Sequence, residues 1–252
     1  MYLLKQKNIH NGNLILVNAK YKIHPATFND LISVTEQNTD IQINRSAATL
    51  LSELIRKVNG WNKIVPVSGW RSLQEQQSIW NNSLKENGLE FTQKFVAVPG
   101  HSEHQTGLAI DLALKQENID FICPEFPYSG ICQAFRQHAA SYGFIERYPS
   151  GKEAITKIAH EPWHFRYVGI PHALIMQENN FTLEEYIDFI RNYPYGIRSY
   201  HYTQNGLNAL VSFFEADAFV NTFSIEENMP FCISGNNVDG FIITQWRNPN
   251  ER

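Results

Sequence analysis

Cysteine is scarce in this chain of 252 residues. There are 3, Cys123, Cys132 and Cys232, and no two of them form a C-x-x-C pair. That argues against a cysteine-ligated zinc site or a vicinal redox pair. An odd number of thiols fits a reducing compartment better than an oxidising one, with one disulfide plus a leftover thiol as the alternative. Charge is also sparse, at 18% of residues, and nearly balanced: Lys plus Arg is 21, Asp plus Glu is 25, and the net charge is −4. No basic run is present to track a phosphate backbone, so nucleic acid is not the expected partner. No apolar run approaches the roughly 20 residues of a membrane helix. The opening stretch, MYLLKQKNIHNGNLILVNAKY, interrupts its apolar positions with Lys, Asn, Gln and His. It lacks the apolar core of about 7–15 residues that marks a secretory signal, so with Met1 as the start the expected location is the cytoplasm.

What is present describes a medium globular protein with 43% hydrophobic and 13% aromatic residues, enough to bury a substantial core. From Asn44 to Asn59, Leu50, Leu51, Leu54, Ile55 and Val58 recur at helical spacing, and Gly60 is the expected C-cap. KIVPVSG, Lys63 to Gly69, reads as a strand whose Pro66 suggests an edge or an irregularity. Ser72 and Glu75 form a capping box that opens a helix expected to stop at Gly88. TGLAIDLAL, from Thr106, alternates Leu and Ile with small residues and a single carboxylate, Asp111, as a strand does. A loop rich in Pro, Asn and Gly covers residues 115–130, a helix follows over 131–142, and WHFRYVG is another strand. Thr182 and Glu185 form a second capping box. Beyond Pro194 the texture becomes that of paired strands, with one hairpin turning at Asn205-Gly206 and another around GNNVDG. The expected class is α+β, a central antiparallel sheet flanked by helices. The expected domains are a catalytic part over residues 1–194 and a small β appendage over 195–252.

Two clusters carry chemistry. GHSEHQTGLAID brings His101, His104 and Asp111 within eleven residues. An Asp on a small-residue face needs a partner once buried; a metal is one, and backbone or an Arg is the other, with the histidines then exposed. HEPWHFRYVG, beginning at His160, spells H-E-x-x-H, which on a helix places two histidines on one zinc ion. Pro162 opposes that geometry, because the residue before a proline is driven out of the helical region. In an extended chain residues four apart lie roughly 13 Å from one another, too far for both to reach one ion at about 2 Å. At most one of the pair is a ligand, and His164, which runs into the strand, is the choice; His160 is structural or supporting. His104, Asp111 and His164 then form a three-ligand set with one open position, the pattern of a catalytic zinc. Glu161 is the natural non-ligating base for a metal-activated water. Arg71, between the strand end and the capping box, is a fixed cation suited to a developing oxyanion.

SGWRS, SEHQTGLAID and EPWHFRYVG together resemble the three blocks of the zinc D,D-carboxypeptidase and D,D-dipeptidase family of the VanX, VanY and VanXY enzymes, within the LAS peptidases; they span Ser68 to Gly169. The pattern S-x-H-x-x-G-x-A-x-D is met at Ser102, His104, Gly107, Ala109 and Asp111. The resemblance implies zinc on His104, Asp111 and His164. It also implies Glu161 as the base that later protonates the leaving amine, and Arg71 at the tetrahedral intermediate. Ser102 and Gln76 would contact the substrate's terminal carboxylate or backbone, Trp163 would shape the pocket, and the 115–130 loop would help select substrate length. The implied reaction is hydrolysis of the terminal D-Ala-D-Ala bond in the dipeptide or in peptidoglycan precursors, most like the cytoplasmic VanXY type, which gives glycopeptide resistance. An L,D-carboxypeptidase acting on tetrapeptides, and a noncatalytic zinc-binding module, are the alternatives.

Overall fold

The computed structural model describes residues 2–25, 27, 30–35, 40–204, 206–216, 221–223 and 229–247. Strand β1 (Tyr2–Leu4) begins the chain. The elements of the larger unit follow: β2 (Leu31–Ser33), β3 (Gln42–Asn44), α1 (Arg45–Lys57), β4 (Ile64–Ser68), α2 (Leu73–Phe95), β5 (Ala109–Leu114), α3 (Gly130–Ala139), β6 (Phe144–Tyr148), α4 (Glu153–Thr156), β7 (Glu161–Tyr167) and α5 (His172–Asn179). The chain closes with α6 (Leu183–Ile190), β8 (Tyr200–Tyr202), β9 (Ala209–Glu215), β10 (Asn221–Phe223), β11 (Phe231–Gly235) and β12 (Gly240–Trp246).

The chain divides into two compact units, one made of Val17–Ile23 and Phe28–Thr182, the other of Met1–Leu16, His24–Thr27 and Leu183–Arg252. These bounds differ from a division at residue 194. The N-terminal segment joins the C-terminal strands because its backbone is bonded there: β1 pairs antiparallel with β10, Gly235 N–H donates to Asn11 O at 2.7 Å, and Leu16 N–H donates to Asn236 O at 3.0 Å. Helix α6 falls in the same unit, where it packs on β9. In that unit β11, β12, β9 and β8 form an antiparallel sheet in that order. Both expected hairpins are present as strand pairs, although Asn205 of the first turn lies outside the described residues.

The larger unit is built on the antiparallel sheet β4-β5-β7-β6. Its two inner strands are buried along nearly their whole length, which explains why β5 alternates larger apolar groups with small ones, Asp111 being its one polar residue. Pro66 sits where it was expected, on edge strand β4, and the register shifts between Pro66 and Ser68. Helix α1 is capped by the Asn44 side chain, which accepts from Ser46 N–H, and it packs against α3. Asn59, not Gly60, takes the left-handed conformation after it, at φ 54°. Helix α2 begins on Ser72, whose Oγ accepts from Glu75 N–H, and breaks at Gly88 as expected. It then resumes to Phe95, where Thr92 Oγ1 bonds Ser83 across the break at 2.8 Å. The expected helix over 131–142 is α-helical to Ala139 and ends in a 3₁₀ turn over Ala140–Tyr142.

Candidate active site

Three adjacent strands and one tight turn assemble the site. Strand β7 starts at Glu161, so HEPWH is extended and its Pro162 stands in a strand, beyond the residues of β7 registered with β5. Asp111 on β5 lies directly opposite His164 on β7, and Ser68 at the end of β4 lies opposite Asp111 on its other side. His104 comes from the 3₁₀ turn Glu103–Thr106, which reverses through Gly107 at φ 71° before β5 begins. A side chain at Gly107 would be strained by that φ and would also meet Leu31 Cδ2 at 2.7 Å. Gly69 is needed for closeness, since a Cβ there would stand 2.3 Å from Gln42 O. Its carbonyl accepts a hydrogen bond from His104 Nδ1–H at 2.7 Å.

That bond fixes the tautomer of His104. With its proton on Nδ1, its free lone pair is on Nε2, which lies 3.1 Å from Asp111 Oδ2. His164 Nδ1 lies 2.8 Å from Asp111 Oδ1. Ligand atoms of His104, Asp111 and His164 all fall within 4.8 Å of one another, and all three residues are buried. The donor set fits a metal: two imidazole nitrogens and one carboxylate converge, and each imidazole presents one nitrogen toward the shared carboxylate. His101 is not among them; its Nδ1 bonds Asn18 O at 2.7 Å. His160 is not among them either. Its Nε2 lies 2.6 Å from the hydroxyl of Tyr128 and 3.6 Å from Glu146.

Electrostatics separate the roles of the titratable groups. Burial, reinforced by the positive Arg71, lowers His104 to about 4 and keeps it neutral. Burial also works against ionised Asp111, yet its hydrogen bond and charge pairing with His164 outweigh that and hold its carboxyl well below the usual range. His164 is raised to about 9 despite its burial, through its bonds to Asp111 and its proximity to Glu103. Glu161 is raised to about 8, mainly by burial, with Asp111 adding to the effect and His164 and Arg71 opposing it. Its Oε2 lies 3.9 Å from His164 Nδ1. A buried carboxyl beside the three converging residues, and not one of them, is placed to take up and return a proton.

Arg71 is held from three sides. Its Nε donates to Ser68 Oγ at 2.8 Å, one terminal nitrogen to Asp111 Oδ2 at 2.8 Å, and the other to Gln76 Oε1 at 3.5 Å. Gln76 is fully buried and anchored through its amide to Ala97 O at 2.8 Å. Ser102, Gln76 and Trp163 line the same cleft as the cluster, together with Phe121 and Ile122 of the 115–130 loop. The structure thus brings together all eight side chains singled out from sequence. It adds two neighbours that sequence reasoning missed. Tyr148 stacks on the ring of His164 with centroids 4.9 Å apart. Glu103, next to His104 in the chain, is fully buried between Arg147 and Arg166. A signal for it was available: Arg166 in the largely apolar segment HFRYV requires a carboxylate once the strand is buried.

The family model described as VanY, D-alanyl-D-alanine carboxypeptidase, matches residues 40–170, more than half of the chain. The chain belongs to this family. Within the VanY family it is similar to the bifunctional D-Ala-D-Ala dipeptidase and D-Ala-D-Ala carboxypeptidase VanXYC of Enterococcus gallinarum, with 45% identity over 174 residues, 67% of this chain and 92% of that protein. It also resembles the crystal structure of the vancomycin resistance D,D-dipeptidase VanXYg in complex with a D-Ala-D-Ala phosphinate analog, at 48% identity and a TM-score of 0.95, covering 98% of each chain. The LD-carboxypeptidase LdcB is a more distant structural relative, at 31% identity and a TM-score of 0.58, covering 75% of this chain and 98% of that one. Across the described residues, no helix is long and apolar enough to cross a membrane.

Proposed function

We propose that this chain is a zinc-dependent D,D-peptidase. It cleaves the terminal D-Ala-D-Ala bond of the free dipeptide, of the peptidoglycan pentapeptide precursor, or of both, and so depletes the target of glycopeptide antibiotics such as vancomycin. The observation that carries the proposal is the convergence of His104, Asp111 and His164 within 4.8 Å, with the raised carboxyl of Glu161 beside them. Similarity over nearly the whole chain to a D,D-dipeptidase, against partial similarity to an LD-carboxypeptidase, supports D,D over L,D specificity. Free Cys123, Cys132 and Cys232 support a reducing compartment, and we assign the enzyme to the cytoplasm.

Residues His104, Asp111 and His164 would hold the zinc, which supplies Lewis acidity to a water and to the scissile carbonyl. Glu161 takes the proton from that water and delivers it to the leaving amine of the terminal D-Ala. Arg71, already fixed by Ser68, Asp111 and Gln76, places a guanidinium where the carbonyl oxygen gains negative charge. Ser102 and Gln76 orient the terminal carboxylate, and Trp163, 6.5 Å from Phe95 between ring centroids, walls the pocket. All of these side chains come from the larger unit.

The test is direct. The protein is incubated separately with D-Ala-D-Ala, the pentapeptide precursor and a tetrapeptide ending in a single D-Ala, and released D-Ala is measured. Release from either of the first two is expected. Release from the tetrapeptide alone would make the enzyme an L,D-carboxypeptidase, and no release from any would leave a binding module. Metal analysis of the purified chain is expected to give about one zinc, the ratio for a three-ligand catalytic site.

A further inference from the structure

One carboxylate in the cleft has no place in the chemistry above. Glu103 is completely buried and opens the 3₁₀ turn that carries His104. Its Oε1 accepts from Arg147 Nε on β6 and from Arg166 Nη1 on β7, both at 2.8 Å. Among the described residues its Oε2 accepts from nothing, and 3.6 Å away stands His164 Nε2, which is also buried without a hydrogen-bond partner there. Two unsatisfied polar atoms facing one another in a dry site call for an explanation.

Proton bookkeeping supplies it. A neutral imidazole has one N–H and one lone pair. If His164 offers its Nδ1 lone pair to a metal, its single proton must sit on Nε2, where it needs an acceptor. The separation is about half an ångström longer than a hydrogen bond, a gap that a small ring rotation closes. Arg166 and His164 are two residues apart on β7 and so share a face, and Glu103 spans both. The arginines occupy one oxygen and thereby keep the other turned to the ring.

We propose that Glu103 is a positioning residue of the metal site: its Oε2 accepts the Nε2 hydrogen of His164 and so fixes that ring in the tautomer and orientation that present Nδ1 to the metal. A single turn of chain then both supplies one ligand, His104, and sets another, His164. A carboxylate behind a metal-bound histidine is a recurrent device, and its loss typically weakens metal binding about 10- to 100-fold. This rests on the assignment of His104, Asp111 and His164 as ligands.

Glu103→Gln is the informative change. With two arginine donors claiming its carbonyl oxygen, the glutamine must turn its amide donor toward His164, which favours the opposite tautomer. In a chelator competition titration with zinc, Glu103→Gln is expected to bind about 10- to 100-fold more weakly than the wild type. Affinity equal to the wild type in a folded variant would overturn the proposal. The buried arginines can make that variant unstable, so the wild type is tested by itself. With cobalt(II) in the site, proton NMR should show two slowly exchanging, paramagnetically shifted imidazole N–H signals, one from His104 against Gly69 O and one from His164 against Glu103. A single protected signal would overturn the proposal even if no variant folds. A wild type that binds neither zinc nor cobalt would instead refute the ligand assignment itself.

Discussion

In the sheet β4-β5-β7-β6 of the larger unit, the buried positions include Asp111, Arg147, Glu161, His164 and Arg166. In the sheet β11-β12-β9-β8 of the smaller unit they include Tyr202, Ala209, Leu210, Val211, Phe213, Phe241, Ile242 and Ile243, with only uncharged polar partners such as Ser212 and Thr244 among the described residues. Both are antiparallel sheets of similar size. They differ in what is kept out of water. Each buried ion carries a desolvation penalty of several kcal/mol, recovered only through close pairing, so an ionic sheet interior is weak evidence for stability and good evidence for chemistry. Damage to the first sheet should therefore appear in catalysis and metal binding, and damage to the second in stability.

The largest effect expected is from Glu161→Gln. Loss of the proton carrier should lower the rate of D-Ala release by about 10²–10⁴-fold, with zinc content retained. Unchanged activity would remove Glu161 from the mechanism. The same variant sharpens the contrast through pH. In the metal-stripped protein, folded Glu161 holds its proton up to about 8, whereas the unfolded chain releases it near the ordinary glutamate value of 4.5. The folded state thus binds more protons between those limits, and Glu161's contribution is full below the lower one and lost as pH rises through about 8. Thermal melts of the stripped protein should show the wild type losing stability relative to Glu161→Gln as pH rises across that window. The opposite slope would break the assignment.

Next in size is Phe241→Ala in β12. The ring is 1% exposed, and its removal should destabilise the chain by about 3–5 kcal/mol in urea unfolding. D-Ala release per folded molecule should be unchanged. A matching drop in activity per folded molecule would break the separation between the two regions. Smaller still is Asn236→Ala. Asn236 Oδ1 accepts from the backbone N–H groups of Val238, Asp239 and Gly240 at 2.9–3.0 Å and thereby shapes the β11–β12 turn. Losing that acceptor should destabilise by about 1–3 kcal/mol, again without a change in zinc content.

The same contrast explains what the sequence made visible. The candidate metal ligands and the proposed base sit at fixed spacing in short blocks, and Pro162 alone was enough to show that HEPWH is extended, as β7 is. Strand alternation located β4 and β5, and turn residues located the β11–β12 hairpin. Strand β6 was missed because FIERY mixes apolar and charged residues, and its arginine makes sense only once Glu103 is placed against it. Helix α5 was missed because HALIMQEN has no helical stripe; its first five residues are all buried. The unit boundary was illegible for a different reason. Pairing of β1 with β10 joins residues more than two hundred positions apart, and no local pattern encodes that.

The smallest expected effect is at His160, the first histidine of HEPWH, a motif whose spelling treats its two histidines as equals. His160 Nε2 bonds Tyr128, whose ring lies under the guanidinium of Arg136 at 4.0 Å, and the imidazole is 31% exposed. His164 is buried against Asp111. Replacing His160 by Asn removes one partly exposed hydrogen bond, so stability should fall by about 1 kcal/mol and zinc content should stay at the wild-type level. His164→Asn should abolish zinc binding, because Asp111 and His104 alone leave too few ligands for a catalytic site. Metal analysis of the two variants side by side decides the matter. Equal zinc loss would overturn the assignment of His164 as the motif's only ligand, since His160, just before extended β7, stands too far along the chain to meet the same ion.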